Sequence, residues 1–163
     1  MAYLLDANVF IEAANRYYAT DICPGFWVWM EQAMSDETIV STHRVRDELL
    51  GREDDLASWT ERQPPSFFLN IDAGALPHLA TLASWVQQQR YRPSAIQEFL
   101  DSTDYYLIAT AMSTGHVIVT HEKPSDGQKR VKIPEPCIAN SVEYVNTFTM
   151  LRRLGARFEL QQP

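Results

Sequence analysis

Val117-Ile118-Val119 is an unbroken apolar run of strand length, with Gly115 just before it and the polar Thr120-His121-Glu122 straight after it. A strand with one wet face alternates apolar and polar residues. A strand with no polar position must be covered on both faces, which is the setting of a parallel sheet packed between helices. Tyr3-Leu4-Leu5, stopped by Asp6, has the same form, and Ile39-Val40-Ser41 reads as a second short strand.

Between these runs the pattern turns helical. Ala7-Asn8-Val9-Phe10-Ile11 opens one helix, and Phe26 to Met34 forms another after the Pro24-Gly25 turn. Arg44 to Leu50 carries Val45, Leu49 and Leu50 on one face, with Gly51 as its stop. Helices are also predicted over 53–62 (ended by Pro64-Pro65), from about Ala73 to Gln89, after Arg92-Pro93, and from Asp104 to Ser113 with Gly115 as cap. Phe67-Phe68-Leu69, Val131-Lys132-Ile133 and Glu143 to Val145 read as further strands. A short helix near Cys137 and one from about Thr147 to Leu154 complete the chain. Strands alternating with helices predict an α/β domain with a mostly parallel central sheet flanked by helices. The 163 residues suit a single domain, 1–163. The end, Gln161-Gln162-Pro163, is expected to fray.

Charge narrows the function. Fourteen basic against 21 acidic residues give a net charge of −7, which argues against a simple non-specific nucleic-acid binder with a basic face. It leaves open an enzyme that reaches a nucleic acid through metal ions held by carboxylates. Cys23 and Cys137 form no CxxC pair, so reduced thiols are expected, with no zinc site and no disulfide framework. The N-terminus lacks a signal-peptide pattern, and no apolar run approaches the ~20 residues that span a bilayer. A cytoplasmic protein without membrane contact is the expectation. No GxxxxGK[ST] loop and no G-x-S-x-G elbow occurs.

Sites in open parallel sheets form beyond the carboxyl ends of the strands. Asp6 ends the first strand, Glu122 follows the Val117–Val119 strand, Asp104 opens the helix before it, and Glu48 lies about two turns into the helix after Ile39–Ser41. If the strands are neighbours, one crevice collects all four acids. Two like charges 4 Å apart repel by about 4 kcal/mol at an effective dielectric of 20. Mg²⁺ or Mn²⁺ removes that penalty, and the same ions activate water and hold a phosphodiester. Taken singly, each acid has an ordinary alternative. Asp6 and Asp104 suit helix N-caps, Glu48 a solvated helix position, Glu122 a loop, and Asn8 and Thr120 caps or turns.

Together these residues resemble a PIN domain. The resemblance lies in Leu4-Leu5-Asp6-Ala7-Asn8-Val9-Phe10-Ile11, Val45-Arg46-Asp47-Glu48-Leu49, Asp104 to Ala111, and Val117-Ile118-Val119-Thr120-His121-Glu122, in that order. Lys132-Ile133-Pro134-Glu135-Pro136-Cys137 and Val145 to Leu151 resemble the end of a bacterial PIN-like subfamily, the DUF4411 group, which is similar to VapC-type toxins. The resemblance implies a PIN-like three-layer fold and an Mg²⁺- or Mn²⁺-dependent ribonuclease. It also implies frequent dimerisation, hence a homodimer, and neutralisation by an antitoxin protein. By position, Asp6, Glu48, Asp104 and Glu122 would be the catalytic, metal-binding acids, with Asn8 and Thr120 supporting them through hydrogen bonds. Many PIN domains have Asp where this chain has Glu122, and Asp101 and Asp126 are spare acids that could replace it.

Lys123, Lys129, Arg130 and Lys132 fall within ten residues beside Glu122. A phosphate-contacting loop and an ordinary solvated loop are equally good readings. Arg44 and Arg46 share the helix of Glu48 and could face substrate. His121 adjoins the site, but the chemistry needs no histidine. Phe26, Trp27 and Trp29 read as core or an interface before a base-stacking platform. Two other functions remain open: an inactive PIN-like scaffold binding RNA or protein, and a haloacid-dehalogenase-like phosphatase with Asp6 as nucleophile. The latter lacks its second Asp, since Asn8 stands there.

Overall fold

Leu4, Leu5, Ile118 and Val119 have no exposed surface, although consecutive strand residues point to opposite faces. Both faces of the sheet centre are therefore covered, as the unbroken apolar runs require. The computed structural model describes residues 1–160 and 162. The predicted fray at Gln161 and Pro163 lies outside the described residues.

The strands are β1 (Tyr3–Leu5), β2 (Ile39–Thr42), β3 (Phe68–Leu69), β4 (Val117–Val119) and β5 (Tyr144–Val145). Their order is β3-β2-β1-β4-β5, and every pairing is parallel. β1 is central. Its Tyr3 is level with Ile39 on one side and Val117 on the other. Between the strands run α1 (Ala7–Glu12), α2 (Pro24–Ser35), α3 (His43–Leu50), α4 (Asp55–Arg62), α5 (Leu76–Gln87), α6 (Pro93–Asp101), α7 (Thr103–Thr114) and α8 (Pro134–Ala139), and α9 (Thr147–Arg153) follows β5. Among the described residues, no helix is long and apolar enough to cross a membrane.

Three local expectations need correction. Val131-Lys132-Ile133 is not a strand. Val131 and Ile133 are buried, but the N–H of Ile133 donates to the Glu122 carboxylate at 2.7 Å instead of to a neighbouring strand. The helix assigned to begin at Asp104 begins at Thr103, because the Ser102 hydroxyl accepts the N–H of Tyr105 and is the true cap. α5 begins at Leu76 and not at Ala73, since the Asp72 carboxylate takes the N–H of Ala75 in a preceding turn.

The helix after β1 also widens. Ala13–Tyr17 is a π-helical segment, closed by Tyr18 N–H donating to the Ala13 carbonyl at 2.8 Å. Phe26 and Trp27 are buried. Phe26 stacks on Tyr18 at 4.3 Å, so this aromatic cluster is core. Cys23 and Cys137 are free thiols.

Candidate active site

The carboxyl ends of β1 and β4 lie side by side, and this brings Asp6 against Thr120. The Asp6 N–H donates to the Val119 carbonyl at 3.0 Å, extending the strand pairing by one residue. Asp6 sits at the N-cap position of α1 but makes no side-chain capping bond. Its carboxylate, only 3% exposed, instead accepts the Thr120 hydroxyl at 3.0 Å. The same Thr120 oxygen accepts the N–H of Glu122 at 3.2 Å. Thr120 thus fixes Asp6 and the loop that carries Glu122 together. Ser41, buried at the end of β2, donates to the Leu5 carbonyl at 2.8 Å and locks the third strand end in place.

The other acids converge on Asp6 from separate elements. Asp104 comes from the first turn of α7, Glu122 from the loop after β4, and Glu48 from α3. Burial pushes the Asp6 carboxyl well above its ordinary value. The charges of Asp104 and Glu122 push it further, Glu48 adds the least, and the Thr120 hydrogen bond opposes them. Burial, then Glu122 and Glu48, raise Asp104 from 3.8 to about 6, while Arg130 pulls it down. Buried like charges repel strongly because little water screens them. Glu48 itself is exposed and forms the outer edge of the cleft.

Glu122 is engaged on both oxygens. Oε1 accepts Arg130 at 2.7 Å, and Oε2 accepts the Ile133 N–H at 2.7 Å. In this arrangement no three His, Cys, Asp or Glu side chains among the described residues are drawn close enough together to hold a metal ion. The donor chemistry nevertheless fits a hard divalent cation. The four acids of the cleft offer hard oxygen donors, in mutual repulsion that a cation would relieve.

The remaining candidates divide. Arg130 touches Glu122 and acts on Asp104. Lys123 lines a hollow together with Thr120 and Glu122. Lys129 and Lys132 line a different hollow beside Arg92 and Asp126. Arg44 lies over the Tyr106 ring at 3.4 Å, and Arg46 turns toward Phe68, 5.9 Å from its ring. Asn8 is half-buried in the first turn of α1, and its amide makes no hydrogen bond to the acids among the described residues. Asp101 is exposed and bonded to Gln97. Asp126 is exposed too, and neither spare acid is among the groups acting on Asp6 or Asp104. His121 shares Nε2 with the Thr147 hydroxyl at 3.0 Å, and burial lowers its pKa.

Sequence reasoning missed Ser41 and the Arg130 partnership of Glu122. A small hydroxyl ending an apolar strand was the available sign of the first. The second depends on how a loop folds back, which leaves no mark in spacing.

A family model described as a domain of unknown function, DUF4411, matches residues 3–158. Among solved structures, a chain in the crystal structure of VapBC2 from Rickettsia felis, bound to a DNA fragment from their promoter, has a similar fold. The TM-score is 0.54 at 16% identity, over 90% of this chain and 98% of that one. The likeness is one of fold, and the architecture is PIN-like. No curated protein matches the sequence.

Proposed function

The chain belongs to the DUF4411 family, and from that starting point we propose that it is a divalent-metal-dependent ribonuclease, the toxin of a bacterial toxin–antitoxin pair. One observation carries the reading: a buried Asp6 opposed by three more carboxylates from three other elements. Such a cluster costs stability in a protein that has no use for it. The toxin assignment draws on the fold shared with a chain of VapBC2. An antitoxin and a second copy of the chain are the partners this reading calls for.

Asp6, Asp104 and Glu122, with Glu48 at the rim, would hold Mg²⁺ or Mn²⁺. When bound, such an ion lowers the pKa of a water and offsets charge on a phosphodiester. The chain's own residues do the rest. Thr120 holds one Asp6 oxygen in a single orientation, as outer partners of ligating carboxylates do. Burial of Asp6 keeps bulk water from its inner side. Arg130 and Lys123 bring positive charge to an otherwise acidic mouth, where an RNA phosphate has to approach.

The test compares wild type with Asp6→Asn on a mixed RNA pool with Mg²⁺ or Mn²⁺, alongside calorimetric Mn²⁺ titration. Loss of a carboxylate ligand is expected to lower cleavage by at least ~100-fold, beyond the ~10–100-fold typical of outer partners. Mn²⁺ binding is expected to weaken with it. Equal cutting by both proteins overturns the assignment of the site. Absence of both cutting and Mn²⁺ binding leaves the inactive scaffold as the better reading.

A further inference from the structure

Thr120 and Glu122 border a second space besides the acid cleft. It is a hollow of about 460 Å³ whose other walls include Tyr17, His121, Lys123 and Phe148, within the ~300–1,000 Å³ of small-ligand sites. The three rings come from separate segments: the π-helical turn, the loop after β4 and the first turn of α9. Tyr17 meets Phe148 edge-on at 5.2 Å. His121 lies 5.9 Å from Tyr17 and 6.1 Å from Phe148. Tyr17 is nevertheless 50% exposed, a large ring left half in water beside a polar cleft.

This cluster is distinct from the core aromatics around Phe26. Its placement depends on the widened turn at Ala13–Tyr17, a backbone irregularity concentrated at functional sites. The His121 ring is steadied by Thr147. Lys123 supplies a cation at the edge of the same hollow.

We propose that this hollow is a stacking subsite for one unpaired RNA base next to the phosphate in the acid cleft, with Lys123 at the adjoining phosphate. The proposal rests on the ribonuclease reading. Aromatic faces accept any base, and shared walls at Thr120 and Glu122 put that base beside the acid cleft. A base inside a duplex is already stacked on its neighbours, so this hollow takes only a base that is unpaired.

The experiment uses full-length Asp6→Asn protein and a short single-stranded RNA carrying 2-aminopurine at each position in turn. Binding is expected to quench fluorescence at one position, and Tyr17→Ala in the same background is expected to remove the quench and weaken binding about tenfold. Tyr17→Phe keeps both. In the cleaving protein, the Tyr17→Ala loss is expected to appear chiefly in KM. Thermal unfolding checks each variant, and Phe148→Leu replaces Tyr17→Ala if the latter fails to fold. Cleavage with no quenched position, or unchanged affinity in Tyr17→Ala, overturns the subsite while the nuclease stands. Quenching without cleavage by wild type keeps the subsite and removes the nuclease. Equal binding of a duplex overturns the single-strand preference.

Discussion

Replacing Asp104 with Asn should make the metal-free protein more stable. Burial, Glu122 and Glu48 lift this carboxyl from 3.8 to about 6, against the pull of Arg130. At 1.36 kcal/mol per pKa unit, the ionised form is disfavoured in the fold by about 3 kcal/mol. Asparagine carries no charge and escapes that penalty. It forfeits a favourable anion in the first turn of α7, worth about 0.3–1 kcal/mol. The net gain is about 2 kcal/mol, or about 4–8 °C in Tm for a chain of this size. The folded pKa lies above the unfolded one, so folding favours the proton. The stability this confers is full below about pH 4 and is lost as pH rises through about 6. The advantage of the variant should therefore be large at pH 7.5 and small at pH 4.5. Circular-dichroism melts of both proteins in EDTA at the two pH values measure it. A variant less stable at pH 7.5, or an offset that ignores pH, would refute the repulsive-cluster account.

Thr120→Val removes the hydroxyl that orients Asp6 and accepts from Glu122. Cleavage should drop about 10–100-fold and stability by about 1–3 kcal/mol, read from initial rates and urea melts; an unchanged rate would count against an orienting role. Arg130→Ala should alter stability by less than about 1 kcal/mol, because the guanidinium is 55% exposed. If Arg130 meets a phosphate, the slope of log Kd against log salt for RNA should shrink by about 0.7. Burial, with Glu135 and Asp104, pushes the Cys137 thiol up to about 12. Ellman's reagent at pH 8 should therefore label Cys23 quickly and reach Cys137 only on unfolding; two fast thiols would contradict the packing.

The buried strands were the most legible part of the sequence. Tyr3–Leu5 and Val117–Val119 lack any polar position, and only double coverage explains that. Helix starts were harder to read. Ser102 and Asp104 are both good caps two residues apart, and only the backbone register gives the bond to Tyr105. Asp6 posed the same ambiguity and resolved the other way: it stands at a cap position and makes no cap bond. Val131-Lys132-Ile133 mimics a strand because its two apolar residues are buried, yet its backbone is satisfied by a side chain. The convergence of four acids was readable only once neighbouring strands were assumed. Tyr17 was not readable at all, since an aromatic at a helix end looks the same in sequence whether it packs inward or stays half exposed.

The central position of β1 has a consequence for synthesis. The first strand finds β2 early but waits for its other neighbour, β4, across the 114 residues that separate Asp6 from Thr120. At about 5–20 residues per second, roughly 6–23 s pass between the making of the two. During that interval the nascent chain carries its earliest acid without the wall that completes the cleft. Chain closure of this length is also slow relative to helix formation. A chain that stops before β4 lacks both Thr120 and Glu122, and its Asp6 keeps neither the hydroxyl that orients it nor the acid that faces it.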